Sequence, residues 1–390
     1  MLFDYQLYLF FYLILKILLF ANTDWYLYNF RLSLAIGLRD VGYEVVLASP
    51  EGDYSKKLQE LGFRWLPIKM VRGSINPIRE LILMLRLSRI IREECFDIVH
   101  GFTIKGAIYG ALAARLARVS ARVSSIDGLG YVFASNDTKA RCLRPLVRIL
   151  LRLSLKGKYA RTILQNRDDV AFFQNIGLVD ASRIRKISGA GVDCNLFLEG
   201  GKRVEGKPLR VLMAARLLWG KGVAEYVEAA RLLKEQGINV QMILAGMPDF
   251  GNPDSVTQPI VEAWVSEGVI DWLGHVSEMA SLLATVHLVV LPTAYREGLP
   301  TALSEGAACG LPLITTDMPG CREVVTHEVD GLIIPVRDPN ALAQAIIRIY
   351  EDPKLANRLG FAAREKALKQ FDDRIVTEQM MSVYAELKKI

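Results

Sequence analysis

Glu297 and Glu305 bracket the segment Glu297-Gly298-Leu299-Pro300-Thr301-Ala302-Leu303-Ser304-Glu305. Upstream, Arg216 and Lys221 share the run Ala215-Arg216-Leu217-Leu218-Trp219-Gly220-Lys221-Gly222. Carboxylates repel phosphate, so beside an anion site they make sense only facing hydroxyls, such as those of a sugar and a ribose. Two fixed cations could neutralise a diphosphate leaving group, an effect that grows as a glycosidic bond breaks. A plainer reading competes in both places. Acidic residues near a helix start favour the helix dipole, and basic residues in a strand-to-helix loop are commonly just solvated.

These residues need particular elements to hold them. Leu288-Val289-Val290-Leu291 is a short apolar run that reads as a buried parallel strand. Gly298 permits a sharp turn, and Pro300 suits the first position of a helix. The free N–H groups of about Gly298 to Thr301 at that helix start suit a phosphate. Arg216 and Lys221 follow the strand Leu209–Ala214 and precede a helix near Val223–Glu235. Gly246 ends a strand, where a missing side chain lets backbone approach a ligand, and Gly274-His275-Val276 ends the next.

Apolar strands alternate with helical patterns along the whole chain, the signature of α/β architecture with parallel sheets and crossover helices. The first half offers strands at Ile17–Ala21, Glu44–Ala48, Arg64–Ile68, Ile98–His100, Arg122–Ile126 and Thr162–Gln165. Helical stretches include Phe30–Val41 and Pro77–Glu94. The second half offers Leu209–Ala214, Gln241–Ala245, Ile270–Leu273, Leu288–Leu291, Leu313–Thr315 and Gly331–Ile334. The expected organisation is an apolar extension or weak anchor (1–15), a first Rossmann-like domain (16–199), a linker (200–208), a second such domain (209–372) and a terminal helix (373–390). Ligands in such sheets bind at the carboxyl ends of strands.

At 390 residues the chain exceeds one typical core. Its five cysteines are scattered with no Cys-x-x-Cys, which argues against a zinc site or a disulfide framework and fits a reducing cytoplasm. Residues 1–200 hold 28 Lys/Arg against 18 Asp/Glu, a balance of +10, while residues 201–390 balance at −4. The two halves therefore meet different partners. Asp4 and Lys16 interrupt the apolar start, which reads better as a strand beginning near Lys16 than as a spanning helix.

The ordered set of motifs resembles the retaining nucleotide-sugar glycosyltransferases of family four, which have the GT-B architecture. The set comprises Glu-x7-Glu after a strand ending Leu291-Pro292, Gly310-Leu311-Pro312-Leu313-Ile314-Thr315-Thr316-Asp317, Pro319-Gly320, and Gly331-Leu332-Ile333-Ile334-Pro335. The resemblance spans roughly residues 16 to 390. It implies that Arg216 and Lys221 hold a nucleotide diphosphate and that Glu305 bonds the ribose. It also implies that Glu297 orients the transferred sugar, that the backbone at His275 and Val276 meets the base, and that Gly246, Gly298, Leu299, Pro300 and Thr301 line the donor. No Asp-x-Asp stands in the right context, so no cofactor and no essential metal is expected. The terminal helix is expected to cross back to the first domain.

Many members of that family carry a histidine where Asp127 falls, in Ser125-Ile126-Asp127-Gly128-Leu129-Gly130-Tyr131-Val132-Phe133. Asp127 either serves the reaction or closes the turn before Gly128; both readings stand. Where many relatives have a Gly-Gly loop, this chain has Asn22-Thr23-Asp24-Trp25-Tyr26-Leu27-Tyr28-Asn29-Phe30-Arg31. With Thr103-Ile104-Lys105-Gly106, this resembles a bacterial subgroup that extends undecaprenyl-diphosphate-linked surface glycans, often with α-linked N-acetylgalactosamine. Acceptor contacts are then expected from Asn22, Asp24, His100 and Lys105, although His100 equally suits a backbone bond.

Arg144, Arg148, Arg152 and Lys156 recur every four residues among leucines, the pattern of an interfacial membrane helix or of a core-facing helix with a solvated basic back. Each basic residue near an anionic leaflet is worth about 1 kcal/mol. The expected partners are a UDP-sugar donor, a lipid-linked glycan and an anionic membrane, without nucleic acid, at the inner face of the cytoplasmic membrane. Two rivals remain: a GT-B enzyme on a soluble acceptor, and a non-catalytic sugar-nucleotide or glycan-binding component of an assembly complex.

Overall fold

A computed structural model of the chain describes residues 14–71, 74, 76–129, 132–133, 138–198 and 207–388. Of the expected extension and linker, residues 1–13 and 200–206 lie outside the described residues.

The strands are β1 (Lys16–Phe20), β2 (Glu44–Ser49), β3 (Arg64–Pro67), β4 (Ile98–Phe102), β5 (Ala121–Ile126), β6 (Ala160–Leu164), β7 (Ile184–Lys186), β8 (Leu209–Ala214), β9 (Val240–Ala245), β10 (Asp271–Gly274), β11 (Leu288–Leu291), β12 (Leu313–Thr316) and β13 (Leu332–Ile334). They form a seven-stranded sheet in the order β3-β2-β1-β4-β5-β6-β7 and a six-stranded sheet in the order β10-β9-β8-β11-β12-β13. The described pairings are parallel. The expected α/β class with two Rossmann-like sheets is therefore observed.

The chain divides into two compact units: Met1–Ser124 with Gly157–Ala160, and Ser125–Lys156 with Arg161–Ile390. In the first unit, Leu18, Phe20, Val46 and Val99 of the sheet pack on Leu83, Leu87 and Ile91 of the helix Pro77–Glu93. In the second, Val211, Leu212, Ile243, Val289, Val290 and Ile314 are fully or almost fully enclosed. Burying each such side chain is worth about 1.5–3 kcal/mol, which explains why these runs are apolar on both faces. The Tyr226 hydroxyl, buried beneath this sheet, lies 2.9 Å from both Val211 O and Ile243 O, and so ties β8 to β9.

Two elements differ from the sequence expectation. The first helix runs Asp24–Asp40, six residues longer at its start, because Thr23 Oγ1 accepts Tyr26 N (3.1 Å) and caps it there. The aromatic run after β1 is thus a helix rather than a loop. The strand β7 had no apolar run to announce it; Ile184-Arg185-Lys186 is an edge strand on β6. The helix Asp373–Lys388 closes the second unit, with Glu386 paired to Arg161 of β6 (2.8 Å) and Arg185 of β7 (2.7 Å). No helix among the described residues is long and apolar enough to cross a membrane.

Candidate active site

The carboxyl ends of β8 and β11 bring two of the expected residues together. Lys221 Nζ lies 2.6 Å from Glu297 Oε1, and the side chains are only 16% and 14% exposed. Lys221 ends a single 3-10 turn, Trp219–Lys221, that is held from two sides. Asp254 Oδ2 accepts Gly220 N (3.0 Å) and the Tyr295 hydroxyl, while Gly220 O accepts Ala294 N (2.8 Å). The Thr293 hydroxyl sits 3.2 Å from Gly220 O and 3.1 Å from Glu297 Oε1. Burial, then Asp254, pushes the Tyr295 phenol well above its usual range, so it stays a neutral donor.

Arg216 is placed differently. It is half exposed, and its guanidinium pairs with Asp249 at 2.6 Å. Its charge still reaches Tyr295, as does that of Glu297, so Arg216, Tyr295 and Glu297 share one neighbourhood.

The segment after Glu297 starts a helix, as expected, but not all of its amides are open. Pro300 caps the helix Thr301–Ala308, one residue before the first helical position expected for it. The amide of Leu299, expected to face the donor, instead donates to Gln165 Oε1 at 2.8 Å. Glu305 lies in the second turn and is only partly accessible. Desolvation pushes its carboxyl up to about 8.

Gly298 and Gly246 are glycines for reasons other than those expected. A Cβ at Gly298 would lie 2.3 Å from Gln165 Oε1 and 2.4 Å from Asp127 O, so close approach of the Asp127 loop demands glycine there. Gly246 has φ +140, and a Cβ would lie 1.8 Å from Ala215 O. Its N–H donates to Gly274 O (2.7 Å) and its carbonyl accepts the Trp272 indole (2.8 Å). The polar groups of the Gly246 backbone are therefore engaged with β10. Beside it, His275 is exposed and Val276 half-buried.

Asp127, just past β5, lies against this loop. Gln165 Nε2 donates to Asp127 Oδ1 at 2.6 Å. The adjoining Asn166 is fully buried, and its Nδ2 lies 3.0 Å from both Glu297 O and Gly298 O. Sequence reading passed over Gln165 and Asn166. Their signal was a polar pair directly after an apolar strand, where α/β sheets place ligands.

The four expected acceptor residues lie in the first unit. Asp24 is buried and accepts the amides of Trp25, Tyr54 and Ser55 (2.8, 2.9 and 2.8 Å), which uses its carboxylate to hold a loop. Lys105 Nζ is likewise spent on Val71 O, Ser74 O and Glu80 Oε1 (2.6, 3.2 and 2.9 Å). His100 has no exposed surface, with its ring 3.9 Å from that of Phe102. Burial, then the charge of Arg31, holds its imidazole well below the usual range, so it is neutral core rather than surface. Asn22 is half-buried on the loop after β1.

Two family models match the chain: glycosyl transferases group 1 over residues 199–366, and glycosyl transferase 4-like over residues 16–165. The chain belongs to the GT-B glycosyltransferases. It is 29% identical, over 93% of its length and 96% of the relative's, to the N,N'-diacetylbacillosaminyl-diphospho-undecaprenol alpha-1,3-N-acetylgalactosaminyltransferase of Campylobacter jejuni. It is 24% identical to the UDP-Gal:alpha-D-GlcNAc-diphosphoundecaprenol alpha-1,3-galactosyltransferase of Escherichia coli, over 80% of this chain and 81% of that one. Among solved structures it resembles Anabaena HepE in complex with UDP, with a TM-score of 0.76, 19% identity, and coverage of 95% and 100%.

One further surface of this glycosyltransferase belongs to the helix with the basic repeat. On the helix Thr138–Leu155, Leu151 and Leu155 face the interior. Arg152 bends back onto Ile176 O (2.8 Å) and Gly177 O (3.1 Å), and Arg144 onto Val132 O (2.8 Å). Arg148 is half-buried and Lys156 exposed. Arg152 is exposed as well, and an apolar line is exposed with these residues: Leu146, Ile149 and Leu153 are 55%, 54% and 46% exposed. Residues 138–156 carry six Lys/Arg and no Asp/Glu, so basic groups border that line.

Proposed function

We propose that this glycosyltransferase moves a sugar, with N-acetylgalactosamine the first to test, from a UDP-sugar to a polyprenyl-diphosphate-linked glycan during surface polysaccharide assembly, with retention of configuration. The observation that carries the reading is the Lys221–Glu297 pair beside a helix start. A cation, a carboxylate and a helix start close in sequence to it are the groups a sugar diphosphate calls for. Similarity along nearly the whole length to a transferase named for an undecaprenol-linked acceptor supports the acceptor class. HepE, solved with UDP, supports the nucleotide.

In this reading Lys221 and the amides of Thr301 and Ala302 take the diphosphate, with Arg216 adding long-range positive charge. Glu305 accepts the ribose hydroxyls. Glu297 faces the sugar, whose C1 gains positive character in the transition state. The bond from C1 to the β-phosphate oxygen breaks as the bond to the acceptor oxygen forms on the same face. The acceptor proton passes to the departing phosphate oxygen, so no protein nucleophile is needed. Cationic side chains and amides do the work here, without a metal.

The apolar line Leu146, Ile149 and Leu153 with its basic border suits the surface of an anionic bilayer, where the lipid-linked acceptor resides. The protein then works as a peripheral enzyme on the inner face of the cytoplasmic membrane. The test is incubation of pure protein with a panel of UDP-sugars and undecaprenyl-diphosphate-linked acceptors. Products are read by mass and anomeric NMR. A lipid-linked α-glycoside is expected, and a product of inverted configuration refutes the reading.

A further inference from the structure

We infer that Gln165 is a positioning residue that locks the Asp127 carboxylate to the loop carrying Glu297, so that both carboxylates are presented to the donor sugar in one rigid frame. This rests on the transferase reading above.

Gln165 is buried at the end of β6 and joins two different partners. Leu299 N can only donate, so the amide oxygen must face it, at 2.8 Å. The amide nitrogen therefore faces Asp127 Oδ1, at 2.6 Å, and can only donate to it. The two contacts together fix which way the amide points. They also require an accepting oxygen on Asp127, which an ionised carboxylate provides.

The backbone repeats the lock. Gly298 is wedged between Asp127 O and Gln165 Oε1 with no room for a Cβ. Next in sequence, Asn166 holds the carbonyls of Glu297 and Gly298 (3.0 Å each) while its Oδ1 accepts Asp169 N (2.7 Å). Asp169 in turn pairs with Arg296 (3.2 Å). Two consecutive side chains thus set the positions of Asp127 and Glu297 against each other. A loop bearing a charged group is otherwise free to shift, and a misplacement of about 1 Å costs on the order of 100-fold in rate. Asp127 thus has a partner 38 residues away, beyond its own turn.

Gln165→Glu separates the two arms of the amide. It keeps an oxygen for Leu299 N–H and replaces only the donor to Asp127, so two carboxyl groups meet. The expected result is a loss of kcat on the order of 100-fold, UDP affinity within about twofold of wild type, and a lowered melting temperature. The double variant Asp127→Asn/Gln165→Glu restores a donor–acceptor pair with reversed polarity. It should regain the melting temperature but not kcat, since the charge at position 127 is gone. Recovery of kcat in the double variant would make Gln165 purely structural and overturn the proposal. So would wild-type kcat in Gln165→Glu, or a UDP affinity that falls in step with kcat. Melting temperatures read the Gln165–Asp127 bond without any turnover, so a double variant that fails to recover stability overturns the lock by itself. A wild type inactive on every UDP-sugar counts against the transferase reading instead.

Discussion

Lys221 and Glu297 form an ion pair 2.6 Å long that joins the loop after β8 to the loop after β11. The pair is shielded, so each charge depends on the other. An ammonium group can also be shared with an incoming phosphate, so under the proposed function Lys221 serves both stability and catalysis. Lys221→Ala should lower turnover by about 10²–10³ and cost about 1–3 kcal/mol of stability by stranding Glu297. Adding Glu297→Ala should return much of the stability and none of the turnover. Thermal melts alongside kinetics on a UDP-sugar check both halves, and parallel recovery of activity would show that the pair is structural only.

Glu305 predicts proton release on nucleotide binding. Burial raises its carboxyl to about 8, so near neutrality it is largely protonated. Accepting two ribose hydroxyls favours the ionised form and pulls the value down again. UDP affinity should therefore rise as pH climbs toward 8 and flatten above it. Titration calorimetry in two buffers of different ionisation enthalpy measures the proton directly. Glu305→Gln should abolish the release, and a wild type that releases none would exclude Glu305 from the ribose contact.

His100 predicts a loss of stability in mild acid. Its folded value is depressed below the ordinary 6.5, so below that pH the unfolded chain binds the extra proton. Stability from this residue is fully present above the unfolded value and falls as pH drops, by up to about 1.4 kcal/mol per pH unit. His100→Phe should flatten that slope in urea melts between about pH 5 and 6.5. An unchanged slope would place the acid sensitivity elsewhere.

The helix Thr138–Leu155 gives a membrane test that is independent of chemistry. Leu146→Glu and Ile149→Glu change exposed positions, so melting should move little. Sedimentation with anionic vesicles should drop sharply in both variants, and added salt should weaken the wild type through its basic border. Failure of the wild type to sediment, with activity on a soluble acceptor, would favour the soluble-acceptor rival.

Much of the fold was legible because parallel strands are buried on both faces and announce themselves as apolar runs. The strand β11 stands where Leu288-Val289-Val290-Leu291 placed it. The strand β7 was invisible, since Ile184-Arg185-Lys186 carries two cations and relies on pairing to β6. The Glu297–Glu305 motif was legible as a motif, but the partner of Lys221 was not, because spacing cannot tell which side chains meet. Gln165 and Asn166 show the same limit: the contacts that single them out reach residues 38 to 134 positions away. The basic repeat on Thr138–Leu155 was legible as a repeat, but not where its side chains reach. Long side chains bend, and the carbonyls of Ile176 and Gly177, just past the helix Arg167–Asn175, claim Arg152.

Glu386, on the helix Asp373–Lys388, clasps Arg161 and Arg185 on the strand pair whose far end presents Gln165 and Asn166. That helix therefore braces from behind the frame that holds Asp127 and Glu297, so a charge lost at Glu386 is felt well away from its own surface.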